Sequence, residues 1–286
     1  MTPNKTLVID KTLVIDVGMH NGNDTAYYLH QGYRVVAIEA NPRLVAQGEQ
    51  RFADAIRSGR LRILPVGIAA EQGEAEFYIA SDLDVLSSFH LDLVQRADTP
   101  IERVQVPCLP IGAVLAEHGV PWYLKVDIEG NDSLCVTGLA AGSTPAYLSI
   151  ELDLRRGDAD LRALGELGYT GFKCIRQNDL REITTANLPR QIALRRRAAA
   201  AGLWGRVNRV VRGIDHGLQP RRCGDWRFPA GSSGAFGADL PGPWLDVATL
   251  LKLWAQLRAA DQELAAGWRS EWFDVHAALP PQRVSV

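Results

Sequence analysis

The chain has 286 residues, 47% of them hydrophobic and 22% charged, with a formal net charge of -2. These are ordinary globular values, so neither a disordered chain nor a general polyanion binder is expected. No apolar run approaches the roughly 18 residues that a membrane-spanning helix needs. The four cysteines, Cys108, Cys135, Cys174 and Cys223, form no CxxC pair and no zinc spacing. No secretory leader is evident, and the expectation is a cytoplasmic protein with reduced thiols.

The string KTLVID occurs twice in succession, at Lys5–Asp10 and Lys11–Asp16. The second copy feeds a glycine loop. The first reads as part of a dispensable extension over residues 1–11. Thr12–Val17 is the first strand, apolar enough to be buried on both faces. A short helix over Asp24–Gln31 closes at Gly32. Arg34–Ile38 is strand two, and Pro42–Ser58 a helix with Asn41 as its cap and Pro42 in its first turn. Leu61–Val66 is strand three. Ala75–Ile79 and Val104–Cys108 read as added strands around a polar stretch, Ser81–Pro100. Ile111–His118 is a helix, Trp122–Val126 strand four and Ala146–Leu152 strand five. A helix at Asp160–Leu167 and a strand at Tyr169–Ile175 complete an alternating unit over 12–176. That alternation predicts an α/β fold with a mainly parallel sheet.

From Gln177 the pattern changes, and 177–286 reads as a helical and loop appendage. Pro189–Arg222 holds nine arginines against one acid, Asp215. Three readings fit it: a lid on an anionic acceptor, an amphipathic contact with an anionic membrane such as the inner membrane face, or a helical face packed on the core. A Gly/Pro/Ser-rich loop and a helix near Leu245–Leu264 come next. Trp254, Trp268 and Trp272 read as core or homodimer contacts.

The strongest local signal is VIDVGMHNGND, from Val14 to Asp24. A buried strand ends in an acid, then a glycine turn opens a helix. Ligands bind at the carboxyl ends of strands in such sheets. Gly18 and Gly22 permit close backbone approach. The spacing is neither GxGxxG nor a P-loop. Asp16 beside the loop suits an amino group better than a pyrophosphate, which points to S-adenosylmethionine. Glu39, ending strand two, can accept both ribose hydroxyls of an adenosine.

YLKVDIEG and LSIELD place Asp127 and Glu129, then Glu151 and Asp153, past strands four and five. Carboxylates there can deprotonate or orient a hydroxyl, or hold a hard ion. Asp127 and Glu151 are the preferred bases, with His20 as rival and His90 as a weaker one. Lys125 is assigned a structural or positioning role. Asp127, Glu151 and Asp153 are the candidates for a divalent ion such as Mg2+.

VIDVGMHNGNDT, VVAIEANP, YLKVDIEG and LSIELD resemble the FkbM family of S-adenosylmethionine-dependent methyltransferases over about residues 12–176. The resemblance implies a Rossmann-like class I methyltransferase fold and methyl transfer to a hydroxyl of a sugar, glycan, glycolipid or polyketide. It implies that Asp16, Gly18 and Gly22, with Asn21 between them, hold the methionine end and that Glu39 holds the ribose. Asp127 and Glu129 correspond to the family's strand-four acids. The chain departs at Asn131-Asp132, where relatives commonly carry Ala-Glu. The expected partner is a small-molecule or glycan acceptor, anionic or lipid-linked, and not nucleic acid. A nicotinamide-dependent oxidoreductase and a non-catalytic binding module are the alternatives.

Overall fold

The computed structural model describes residues 8–80, 87–95, 100–140, 142–152, 154, 157–199, 207, 221–264 and 272–280. The chain divides into two compact units, one running to Ile150 and the other spanning Glu151–Pro280. The boundary therefore falls before the 176–177 junction expected from the composition change. Residues 151–176, expected in the alternating unit, fall in the second one.

In the first unit, β1 (Ile9–Val17), β2 (Arg34–Ile38), β3 (Leu61–Leu64), β7 (Val120–Val126) and β8 (Tyr147–Leu152) lie in the order β3-β2-β1-β7-β8. All four pairings are parallel. The crossovers carry α1 (Asn23–His30), α2 (Pro42–Arg51), α3 (Ala53–Arg57), α5 (Ile111–His118) and α6 (Asp132–Thr137). Leu13, Val14, Ile15 and Val17 of β1, and Tyr123, Leu124 and Val126 of β7, are buried. That accounts for the near-continuous apolar runs of both strands. The order reverses beside β1, so a topological switch point lies between β1 and β7. A smaller sheet, β4 (Gly67–Ile68), β6 (Ile101–Leu109) and β5 (Gly73–Ala80), packs Phe77, Ile79, Val106 and Cys108 into a core of its own. A four-residue helix, α4 (Leu91–Val94), lies in the connection between β5 and β6.

Two expectations are corrected in detail. The helix expected over Pro42–Ser58 breaks at Phe52, whose φ of -111° and ψ of 22° leave the helical range. The cap is as expected, with Asn41 accepting from the Arg43 N–H at 3.0 Å. The end of the first KTLVID copy also belongs to β1. Ile9 and Asp10 pair with Val120 and Pro121, and the next pair is Val14 with Tyr123. The surplus residues form a bulge, closed by Thr12, whose N–H and hydroxyl donate to Asp10 at 2.8 and 2.7 Å.

The second unit is built on antiparallel β10 (Arg181–Ile183), β9 (Gly171–Arg176) and β13 (Phe273–Ala278). With them stand α7 (Asp158–Glu166), α8 (Leu188–Ala199) and α9 (Val247–Leu264), and a short hairpin of β11 (Arg222–Cys223) and β12 (Trp226–Arg227). Arg195 and Arg196 of α8 pair with Asp261 and Glu263 of α9 at 2.9 and 2.5 Å. Those two arginines therefore serve helix packing. Residues 200–206 and 208–220 of the arginine-rich stretch, and Trp268, lie outside the described residues. Among the described residues, no helix is long and apolar enough to cross a membrane.

Lys173, fully buried, reaches Glu182 at 3.0 Å and the carbonyls of Pro241, Gly242 and Pro243 at 2.5, 3.0 and 3.3 Å. It thereby fixes the Pro/Gly loop. His276, opposite Lys173 in the β13–β9 ladder, has neither ring nitrogen hydrogen-bonded. Burial, and secondarily the Lys173 charge, push its pKa down to about 3. A base with a lowered folded pKa contributes stability that is present above its unfolded value of 6.5 and is lost as pH falls toward 3. His276→Leu removes the imidazole and leaves no unpaired polar atom in its place. Stability measured by urea denaturation is expected to fall less steeply below pH 6.5 in this variant, with little change at neutral pH.

Candidate functional site

The loop after β1 is held from three sides. Gly18 and Met19 both donate to the Ile38 carbonyl at 3.0 Å, tying it to the end of β2. Gly18 has φ +86°, and a Cβ there would run into the Asp127 carbonyl. The loops after β1 and β7 therefore meet at an atom-to-atom distance that only glycine allows. Gly22, with φ +77°, is the N-cap of α1, and a Cβ on it would come within 2.5 Å of the Phe52 ring. His20 stands between them at φ +50°, a left-handed conformation unusual for a non-glycine residue. Strain of this kind gathers at ligand sites. Asn21 spends its side chain locally, accepting from the Asn23 N–H at 3.1 Å, and its carbonyl accepts from Arg51 at 2.5 Å.

Glu39 holds this loop. Its Oε2 accepts from the His20 N–H at 2.7 Å and its Oε1 from the Asn41 N–H at 2.8 Å. Burial raises its pKa, and the two N–H donors oppose the shift. Each oxygen keeps a second lone pair, so the carboxylate can still accept hydroxyl donors.

Asp16 is completely buried and accepts from the Thr25 hydroxyl at 2.6 Å. Desolvation raises its pKa, opposed chiefly by the charge of Lys125. Lys125, 3% exposed, donates to the Gly18 carbonyl at 2.8 Å. Its ammonium lies 3.4 Å from Asp16, 3.6 Å from Asp127 and 4.0 Å from Asp24. The positioning role expected of Lys125 fits these contacts, but the sequence does not reveal Asp24 and Thr25 as members of the cluster. A lysine inside an otherwise apolar strand, level with the Asp16 strand end, is the one signal of it in the sequence.

The loop after β7 is shaped by Asn131 and Asp132. Asp132 accepts from the Ile128 and Gly130 N–H groups at 3.0 and 2.9 Å. Asn131 donates to the Ile68 carbonyl at 2.9 Å and meets His90 Nε2, also at 2.9 Å. Glu129 adopts φ +52°, and its carbonyl accepts from Ser88 at 2.6 Å. His90, the weakest of the candidate bases by sequence, thus lies against this loop. Asp16, Gly18, His20, Asn21, Gly22, Glu39, Asp127 and Glu129 all fall in the first unit at the carboxyl ends of its strands.

Glu151 falls in the second unit. There Gln177 donates to Glu151 at 3.2 Å and to Asp274 at 2.9 Å. Asp153 lies outside the described residues. Among the described residues, no group of three His, Cys, Asp or Glu side chains is arranged to hold a metal ion. The cation beside Asp127 is the Lys125 ammonium.

A parallel sheet with its strand order reversing beside β1, a glycine loop at that switch point and an acid ending the next strand define the Rossmann-like, nucleotide-cofactor class. Within that class the chain belongs to the methyltransferase FkbM domain family, which matches residues 16–166. It is similar to the ribosomal RNA small subunit methyltransferase H of Gemmatimonas aurantiaca, at 32% identity over 66 residues. That match covers 23% of this chain and about a fifth (21%) of the relative's length. Among solved structures, methyltransferase FkbM from Methylobacillus flagellatus KT is 17% identical with a TM-score of 0.34, over 52% of this chain and 35% of that one. Coclaurine N-methyltransferase bound to N-methylheliamine and SAH is 9% identical with a TM-score of 0.32, over 94% and 67%.

Burial pushes the Asp132 carboxyl from its ordinary 3.8 up to about 6, with the Asp127 charge adding to the shift and the loop N–H groups opposing it. A folded pKa raised in this way contributes stability that is full below 3.8 and lost as pH rises through about 6. Carboxyl-carbon NMR should show Asp132 titrating near that value. In Asp132→Asn the corresponding slope in denaturation midpoint against pH should vanish.

Proposed function

We propose that the chain is an S-adenosylmethionine-dependent methyltransferase acting on a hydroxyl of a sugar, glycan, glycolipid or related natural product. The observation that carries this reading is the pairing of two acids at one end of the sheet. Asp16 is buried beside the glycine loop with its Oδ1 3.4 Å from the Lys125 ammonium, and Glu39 ends the next strand with lone pairs to spare. An amino group suits the first and a ribose diol the second. Family membership supports the same assignment.

When bound, the cofactor supplies an electrophilic methyl group on a sulfonium. The chain must then bind, align and manage one proton. Asp16, Gly18, Asn21 and Gly22 are assigned to the methionine end and Glu39 to the ribose. Asp127, 25% exposed at its side chain, is the preferred group to accept the acceptor's hydroxyl proton. His20 is the rival, and Glu129 contributes to the same rim. The acceptor is expected to be anionic or lipid-linked.

Calorimetric titration with S-adenosylmethionine and S-adenosylhomocysteine tests the cofactor. Micromolar binding is expected, weakened at least about tenfold, or about 1.4 kcal/mol, by Glu39→Ala in protein that still melts cooperatively. Absence of binding by folded wild-type protein would overturn the assignment. Asp127→Asn should abolish methyl transfer to an identified acceptor while keeping cofactor affinity within tenfold. Loss of binding instead would remove Asp127 from the role of base.

A further inference from the structure

Among the described residues at the ends of β1 and β7, carboxylates outnumber the cations beside them. One ammonium, that of Lys125, faces three carboxylates at 3.4, 3.6 and 4.0 Å, and one of its protons is committed to the Gly18 carbonyl. Glu39 is near enough for its titration to sense both Asp16 and Lys125, and Asp132 near enough to sense Asp127. Arg51 is another cation on this loop, and it is engaged with the Asn21 carbonyl and the Asn23 side chain, at 2.5 and 3.1 Å. Excess like charge taken out of water is unfavourable unless compensated. Burial is the main cause of the raised pKa values of Asp16 and Glu39, and a neighbouring carboxylate, Asp127 for the first and Asp16 for the second, adds to each. Asp16 Oδ1 is buried and faces the Lys125 ammonium at 3.4 Å. A cation entering the cleft relieves this imbalance, and a neutral group of the same shape does not.

The methyl donor and its spent product differ in the one respect that such a site can sense. S-adenosylmethionine carries a sulfonium, and S-adenosylhomocysteine a neutral thioether. Their amino, carboxylate and adenosine parts are the same. Resting on the cofactor reading above, we propose that the excess of carboxylates around Lys125 makes the cleft discriminate the donor from the product by charge. Lys125 acts as the positioning residue that sets the size of the excess. Donor binding is favoured by these carboxylates, and the same carboxylates lose that stabilisation once the methyl has left, which favours product release. Lys125 also sets the geometry, because its contacts join the carbonyl of the β1 loop to a carboxylate of the β7 loop.

The experiment is parallel calorimetric titration of S-adenosylmethionine and S-adenosylhomocysteine into the wild-type protein, Lys125→Met, Asp24→Asn and Asp127→Asn. The readout is the ratio of the two affinities. Asp10→Asn is the control, removing an equal charge at the far end of β1, where Asp10 pairs with Arg34 at 2.8 Å. Removing a carboxylate at Asp24 or Asp127 is expected to lower the donor-to-product ratio by about fivefold, and removing the ammonium to raise it by a similar factor. Both changes should shrink as salt is raised, and the control should leave the ratio unaltered. A purely structural Lys125 would weaken both ligands together and leave the ratio unchanged. Should Lys125→Met fail to fold, the two carboxylate variants decide. Binding of both ligands with a ratio that no variant shifts would overturn the charge mechanism and leave the cofactor assignment intact. Binding of neither ligand to folded wild-type protein would overturn both.

Discussion

An ammonium with almost no access to water must find its partners inside the fold, and Lys125 finds them on two chain segments that are far apart in sequence. Its contacts to Asp16, Asp24 and the Gly18 carbonyl come from the β1 loop and α1, and its contact to Asp127 from the end of its own strand. The other features of the cleft depend on holding these segments together. Gly18 must lack a side chain because the loops touch. His20 is carried into a left-handed turn, and Glu39 meets its N–H from the next strand. Removing the lysine would strand three carboxylates, so the same residue serves stability and site geometry at once. Buried ion pairs are weak sources of net stability, and here the arrangement is better understood as fixing one geometry.

Much of the first unit is legible in the sequence because its strands are buried on both faces and its turns are marked by glycine. The glycine loop, the strand-two acid, the Asn41 cap and the strand-four acids are all visible as local patterns. The contacts made by residues distant in sequence are not. Nothing in the string of residues shows that Ser88 and His90 reach back to the loop after β7, or that Asp24 approaches Lys125. The contacts of the Asn131-Asp132 pair carry no such sign. The pair is a local solution in which an amide and a carboxylate satisfy loop N–H groups and a neighbouring imidazole.

The second unit is harder to read for a different reason. Its strands β10 and β13 flank β9 but are separated from each other by some ninety residues of chain of mixed character. In sequence, β13 alternates Phe273, Asp274, Val275, His276 and Ala277, the pattern of a half-exposed strand. It is buried along its whole length, polar residues included. The arginines of α8 likewise suggest an anionic partner, whereas Arg195 and Arg196 are matched by acids on α9 in the same unit.

The bulge in β1 bears on how the chain finds its register. Two identical six-residue strings compete for one slot between β2 and β7. Because a six-residue slip is even, it would keep every side chain on its original face, so the inward and outward pattern that normally rejects a slipped strand is silent. The choice is left to the residues just beyond each copy. Behind the first comes Lys11, which has no means of turning the chain sharply. Behind the second come Val17 and Gly18, whose conformation lets the backbone donate to the end of β2 and pass the Asp127 carbonyl. The glycine that lets the loops after β1 and β7 touch is thus also the proofreading element that tells two indistinguishable strands apart.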